Sequence, residues 1–533
     1  MSIYMMGVII SIIIYIIIGN YAGSKVKDVD DYYVSGRNAP TILIAGTLFA
    51  SMLSTNGFMG DTAYCYTGHI TIMVILNALC AGGYILGPMF FGRYLRRSEV
   101  ITMPEYFGRR FNCKKVQAFA GITTVISLSA YLLAVIQGTG LLMQELTGFT
   151  PGVCLLIAWV CFTSFTFYSG SKGVILTDTI MFIVFIVATI IAGPFIFKAA
   201  GGLGNIVPNL LASADAPKDL LAYHGTLGEG ESGMDAIMYA VTIGIVWLVT
   251  VSVSPWQASR NLMAKNEHVT IRSGVIAAIC TTLFLTFLYI IAVSMNLINP
   301  AIEPTEKVII WACFNVVPTI VGVVVLTGVM AAGLSSASTF LSVVGFSATN
   351  DIIKINFKSD KHQLWFSRWV MLGIGIIALI LAYFNPPAIR IISWFASTII
   401  AASWGPVAFM SVWNKDITAK GALYGMVCGF IGYLGATLVN KLTVISLNNF
   451  LHPFFIGVFL SFIGIYIGTK TSERTKEEVE FFERMHIVPE SQKSPELFNR
   501  DRLYGKILIF SGIVISLVLL FNWAIPYNSF VLK

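Results

Sequence analysis

The sequence predicts an all-α membrane protein that crosses the bilayer about fourteen times. Three observations carry this expectation. Of 533 residues, 56% are hydrophobic and only 11% charged, with mean hydropathy +0.79; a soluble chain carries about twice that share of charge. Apolar runs of about 18 or more residues, long enough to span hydrocarbon as helices, recur along the whole length. The basic residues gather between those runs, so the net charge of +7 describes loops facing one side of a membrane and not a nucleic-acid surface.

The candidate spans are residues 4–22, 41–67, 69–92, 117–144, 150–169, 173–197, 235–257, 271–298, 318–346, 364–384, 389–412, 421–440, 450–469 and 504–525. The first apolar run has neither a basic lead-in nor a small-residue cleavage site, so it reads as a retained helix. Basic residues crowd the loop at 93–115, the turns near 258–272 and 354–368, and the segment 470–506. All four fall on one side, the cytoplasmic one, if the N-terminus is outside. The opposite loops at 145–150 and 200–233 hold mostly acidic residues, among them Glu145, Asp215, Asp219, Glu229 and Glu231. Both termini then face outward. The polar stretch at 472–503, with its KEEVEFFER run, reads as a surface helix.

Two spans are expected to be broken. Residues 51–57 place Ser, Thr, Asn and Gly together in the middle of an apolar span. At bilayer depth such breakers are tolerated where the freed backbone lines a cavity or a site. Span 235–257 ends at Ser254-Pro255, where the proline removes a backbone donor and is expected to kink the helix. The two interruptions lie five spans apart, which points to two inverted five-helix repeats with a site at mid-membrane.

Span 318–346 carries Ser335, Ser338, Thr339 and Ser342 at i, i+3, i+4 and i+7, one hydroxyl stripe on a helix, with Ser336 beside it. A hydroxyl in hydrocarbon needs a partner. Neutral oxygens can replace part of the hydration shell of a sodium ion. The competing explanation is back-bonding within the helix, or helix–helix contact. The eight cysteines are scattered without CxxC spacing, so neither a zinc site nor a disulfide framework is indicated. The six histidines lie at or near loops, which leaves a membrane enzyme without a site.

Six segments together resemble the sodium:solute symporter family, the group of the sodium/glucose, sodium/proline and sodium/pantothenate transporters. They are DYYVSGRNAP at 31–40, ASMLSTNGFMG at 50–60, ITMPEYFGRRF at 101–111, GSKGVILTDTIMF at 170–182, SRNLMAKNE at 259–267 and AAGLSSASTFLSVVGFSATNDI at 331–352. The resemblance covers about residues 30–420. It implies a LeuT-type fold: a ten-helix transport core over 41–412, with repeat one at about 41–199 and repeat two at about 234–412. Residues 1–40 would be an extra helix and cytoplasmic loop. Residues 413–533 would be three extra helices with a cytoplasmic segment at 470–503.

The resemblance also implies a function, sodium-coupled import of a small solute by alternating access, and a site. The first sodium would take carbonyls of Ala50, Leu53 and Ala332 and the hydroxyls of Ser335 and Ser336. A second would take Asp178, Ser338 and Thr339. An ionised Asp178 costs about 2.5–3.5 kcal/mol at helix centre, so it should face the bundle with a partner; the alternative is that it lies near the cytoplasmic end and reaches water or Lys172. Asp61, in GFMGDTAY, either lines an outer vestibule or caps its helix. Substrate candidates by position are Ser54, Asn56, Gly57, Trp247, Thr250, Trp394, Ser397 and Thr398. Core helix two offers only Asn77 as a mid-membrane polar group, too few hydrogen bonders for a sugar. A compact amino acid or carboxylate is favoured. Alternatives are a proton-coupled or facilitative transporter, or a transporter-like sensor. One or two sodium ions, a small-molecule substrate and the lipid bilayer are the implied partners, with the chain a monomer in the cell membrane and no role for nucleic acid.

Overall fold

The computed structural model describes residues 3–228, 231–353, 359–384, 389–442 and 451–531, and leaves out the side chains of residues 165 and 168. Glu229 of the expected outer loop and residues 354–358 of the basic turn lie outside these. The described chain is helical, apart from a parallel bridge between Ala39 and Ala264. Its principal elements are α1 (Ile3–Gly23), α2 (Thr41–Met52), α3 (Asn56–Arg97), α4 (Lys114–Thr147), α5 (Pro151–Ala199), α6 (Gly233–Val253) and α7 (Pro255–Met263). There follow α8 (Glu267–Ser294), α9 (Thr319–Ser347), α10 (Asp360–Phe384), α11 (Ile389–Trp413), α12 (Ala419–Leu442), α13 (Pro453–Lys470), α14 (Lys476–His486) and α15 (Pro495–Val531).

Among the described residues, 12 helices are long and apolar enough to cross a membrane. The expectation was fourteen, and chain geometry explains the difference. Span 41–67 is two half-helices: α2 ends at Met52, and the outer half is the start of α3, which bends at Gly68. Spans 150–169 and 173–197 form α5, a 49-residue run bent at Gly170, where φ is 50° and ψ −145°. That conformation is almost confined to glycine. The part of α5 before the bend, 151–169, is helical throughout.

The second interruption is a break and not the expected kink. Ser254 is extended, at φ −63° and ψ 149°, and Pro255 opens a new helix. Proline suits a helix start, because its missing N–H would have no partner there, and it drives the preceding residue out of the α region. The presumed basic turn at 258–272 is correspondingly short. Arg260 and Arg272 lie on helices and are buried, so they are not loop charges.

The two broken helices touch. Gln257 Nε2 on α7 donates to Leu48 O at 3.3 Å and to Ser51 Oγ at 3.4 Å on α2. The Ala39–Ala264 bridge ties the entry of α2 to the exit of α7 through Ala39 N to Met263 O, 3.1 Å, and Lys265 N to Ala39 O, 3.0 Å. Phe49 and Phe58, one on each side of the first break, pack edge-on against Phe284 of α8, while Phe182 and Phe185 of α5 close the cluster. Buried rings of this kind fix where the break sits.

Large apolar side chains face outward around the bundle, such as Ile17, Ile190, Ile377 and Phe510. An exterior of that kind suits lipid and not water. The segment after α13 folds back: α14 carries a capping box between Thr475 and Glu478 and buries Phe481 and Met485. Asp501 of α15 takes His268 Nδ1 at 2.5 Å and Arg272 Nε at 2.6 Å from α8. The polar stretch at 472–503 is thus helical, as expected, and pinned to the core.

Candidate ion and solute site at the broken helices

The first break frees backbone. Leu53 is extended at φ −81° and ψ 92°, and the α-helical ladder lapses between Met52 and Asn56. Residual bonds are tight local ones: Ser54 N to Met52 O at 3.1 Å, Gly57 N to Ser54 O at 3.1 Å, and Asn56 N to Ser54 Oγ at 3.0 Å. Carbonyls near the break are left to side chains. Leu48 O accepts from Tyr84 Oη at 3.2 Å as well as from Gln257. Ser336 of α9 reaches Leu53 O at 3.5 Å. Helix α9 comes this close because of Gly333, where a Cβ would collide with Thr139 Oγ1 and meet the Thr55 methyl at 3.0 Å.

The hydroxyl stripe on α9 splits by direction. Ser338 bonds back to Ser335 O at 2.8 Å and Ser342 to Ser338 O at 2.7 Å. Ser335, Ser336 and Thr339 reach across to other helices. Ser335 Oγ donates to Asp178 Oδ1 at 2.7 Å, and Thr47 Oγ1 of α2 donates to Asp178 Oδ2 at 2.5 Å. Arg260 of α7 lies 3.4 Å from Asp178 Oδ2 and hydrogen-bonds Thr339 Oγ1.

Asp178 is 0% exposed, which removes the peripheral alternative. Lys172 is occupied elsewhere, with Asp31 at 2.8 Å. The residues assigned to two separate sodium sets form one connected cluster: Ser335 of the first set is bonded to Asp178 of the second. Ala50, Leu53 and Ala332 are buried beside it. Thr47, Gln257 and Arg260 were not foreseen. A buried arginine just past a helix-starting proline was the available signal, but it was counted as a loop charge.

Beyond the break, on the side of α3, lies a small cavity of about 20 Å³. Asn56, Gly57, Trp247 and Trp394 line it, with Asp61, Tyr131 and Tyr289. The other substrate candidates lie outside its wall. Thr250 Oγ1 donates to Ser397 O at 3.1 Å, Ser397 Oγ to Ser393 O at 2.8 Å, and Thr398 Oγ1 to Trp394 O at 2.8 Å. Ser54 is spent on the Asn56 N–H. Asn77 turns to α8, with Thr282 O and Thr286 Oγ1 both at 3.3 Å. Thr250 and Asn77 thus tie neighbouring helices together, while Ser54, Ser397 and Thr398 bond locally. Over the cavity lies an aromatic layer. Tyr64 stacks on His69 with centroids 4.1 Å apart, and Arg390 lies over Tyr64 at 4.0 Å and over Trp394 at 4.8 Å.

An all-helical, lipid-facing bundle with buried polar groups gathered at two helix breaks has the architecture of a membrane transporter. The chain belongs to the sodium:solute symporter family, whose sequence profile matches residues 32–429. It is thus a multi-pass membrane transporter and not an enzyme. The sodium/pantothenate symporter of Haemophilus influenzae is 25% identical over 500 residues, covering 89% of this chain and 98% of that one. The sodium/proline symporter of Escherichia coli is 25% identical over 438 residues, covering 78% and 84%. In three dimensions the chain is similar to a sodium-coupled sialic acid symporter in a substrate-bound, outward-open state, with TM-score 0.76, 18% identity and coverage of 89% and 99%. The resemblance read at residues 30–420 is borne out, and the fold is that of these transporters.

Proposed function

We propose that the protein imports a small polar organic solute, an amino acid or carboxylate in preference to a sugar, by sodium-coupled alternating access. One observation carries this reading: the carbonyl of Leu53, freed by the break between α2 and α3, accepts from Ser336 of α9 at 3.5 Å, and Ala50, Ala332 and Ser335 are buried too. Neutral carbonyl and hydroxyl oxygens are hard ligands that suit a desolvated sodium ion and cannot titrate at useful pH. Asp178, Ser338 and Thr339 would hold a second ion, for which Arg260 must leave the carboxylate it now faces. Asn56, Gly57, Trp247 and Trp394 would contact the solute, beneath the layer of Tyr64, Trp394 and Arg390.

Around this centre, residues 41–199 and 234–412 are read as inverted repeats. Helix α1 and the three helices after 412 flank them, giving fourteen crossings when the halves at Thr41–Met52 and 151–169 are counted. The basic ends then face the cytoplasm, both termini face outward, and the chain works as a monomer in the cell membrane. The homologous sodium/proline and sodium/pantothenate symporters support sodium as the coupling ion. Uptake of a mixed solute library into proteoliposomes, with and without an inward sodium gradient, is the test. At least one solute should accumulate only with the gradient; accumulation indifferent to sodium would overturn the reading.

A further inference from the structure

We propose that the transported solute carries a cationic nitrogen and that Asp61 is its counter-charge. The inference rests on the reading of the cavity as the solute site.

Six carboxylates are buried among the described residues: Glu105 and Glu267 pair with Arg109 and Arg97, Glu478 accepts from two backbone N–H groups, and the remaining three are compensated differently. Asp351 accepts from Thr102, Gln117, Asn350 and Ser347 at 2.8–3.0 Å, four neutral donors. Asp178 has two hydroxyls and Arg260. Asp61 is 8% exposed and receives Asn56 Nδ2 at 3.1 Å, with the Tyr289 phenol at its other side. Among the described residues, no Lys, Arg or His nitrogen comes within 4 Å of it. The cation nearest in this layer, Arg390, is engaged with the faces of Tyr64 and Trp394. Arg390 lends Asp61 its charge only from beyond 4 Å, and a buried carboxylate without a direct cationic partner among the described residues is poised for a positive charge supplied from outside the chain.

The wall around Asp61 says what kind of cation. Tyr131, Trp247, Tyr289 and Trp394 line the same cavity. Aromatic faces attract organic ammonium groups. A sodium ion instead needs several oxygens at short range, and apart from Asp61 the side chains of the cavity offer the Asn56 amide and two phenols. Two further groups are unpartnered. Asn56 Oδ1 is a buried acceptor, on the amide whose Nδ2 already holds Asp61, and Trp247 Nε1 is a buried donor. An ammonium N–H would satisfy the first. A carboxylate or carbonyl elsewhere on the same solute would satisfy the second. A zwitterionic amino acid meets both demands, and a neutral sugar does not supply the charge.

The cavity as it stands, at about 20 Å³, has room for about one water. A solute therefore enters only when the Tyr64–Trp394–Arg390 layer draws back. Arg390 lies over the Tyr64 and Trp394 rings, and the solute's ammonium would use the faces of the cavity's own aromatic side chains.

The test uses the full chain in proteoliposomes and four labelled probes of differing charge: L-proline, choline, pantothenate and glucose. Under a sodium gradient, proline or choline should accumulate, and pantothenate and glucose should not. Asp61→Asn should raise the half-saturating concentration of the accumulated probe at least tenfold while leaving that of sodium within twofold. Asp61→Glu, which keeps the charge, should recover part of the loss and serves as the check on folding. Accumulation of pantothenate or glucose alone would overturn the inference while leaving symport intact. So would an Asp61→Asn effect confined to sodium dependence, which would make Asp61 an ion ligand. Accumulation of none of the four, in protein shown to be folded, would overturn this inference and leave the symport reading to the solute library.

Discussion

At the residue scale the ion site comes down to which oxygen each hydroxyl of α9 faces. Ser336 shares the break with Leu53 O, and Ser335 donates to Asp178. Removing either hydroxyl deletes one neutral ligand, a loss of about 1–3 kcal/mol. Since about 1.4 kcal/mol is tenfold in affinity, Ser336→Ala or Ser335→Ala should raise the sodium concentration for half-maximal uptake by roughly tenfold or more. Abundance should hardly change, because one oxygen leaves little cavity. Initial uptake rates against sodium concentration check this, and unaltered dependence in both variants would count against the site. The sequence showed the stripe through its helical spacing, since that spacing is local. It could not show that Ser338 and Ser342 turn back on their own helix while Ser335 and Thr339 meet Asp178 and Arg260. Those pairings join residues 79 to 157 positions apart, brought together by tertiary packing alone.

At the scale of elements, the break at 51–57 was legible because its breakers sit together inside an apolar run. The break at Ser254 was read as a kink because proline is compatible with both, and only the extended conformation of Ser254 decides between them. The bend at Gly170 was marked by no proline, only by the short polar run SGSKG at 169–173 between two apolar runs. It is nonetheless strictly constrained. A Cβ there would lie 2.5 Å from the Tyr32 ring and 2.6 Å from the Tyr32 carbonyl, in a conformation L side chains avoid. Backbone strain and overpacking each cost about 1–3 kcal/mol. Gly170→Ala should therefore lower the thermal stability of the detergent-solubilised protein and its abundance. Gly373→Ala, where a Cβ would meet nothing within 4 Å, should leave both unchanged. Melting curves followed by size-exclusion chromatography distinguish them, and equal stability of the two variants would contradict the bend.

At the scale of the whole molecule, topology and energetics make linked forecasts. The proposed orientation puts the basic segments in the cytoplasm, following the bias of Lys and Arg toward that side. Single cysteines at Gly228 and Ser491 should then label from outside and inside respectively with a membrane-impermeant maleimide. Labelling of both from one side would sink the fourteen-crossing topology. On that topology, inward sodium movement is driven by both potential and gradient. Each charge crossing 100 mV gains about 2.3 kcal/mol, and a tenfold sodium gradient adds about 1.4 kcal/mol per ion. One ion then supports roughly 500-fold accumulation of a solute without net charge, and two support on the order of 10⁵-fold. We expect two ions per solute. The argument is the buried cluster itself: Asp178 is the one carboxylate there, and a cation, Arg260, already sits 3.4 Å from it. A site that holds a guanidinium in one arrangement can hold sodium in another, if Arg260 withdraws as the helix halves move. Asp178→Asn keeps the shape and the contacts with Thr47 and Ser335, but removes the charge that would offset the second ion. It should flatten the sodium dependence from sigmoidal to hyperbolic and lower the stoichiometry toward one, while the first site still drives uptake. Reversal potentials measured on wild type and Asp178→Asn decide the matter. A wild-type ratio of one sodium per solute, unchanged in the variant, would mean that Arg260 never leaves and that Asp178 serves the fold alone.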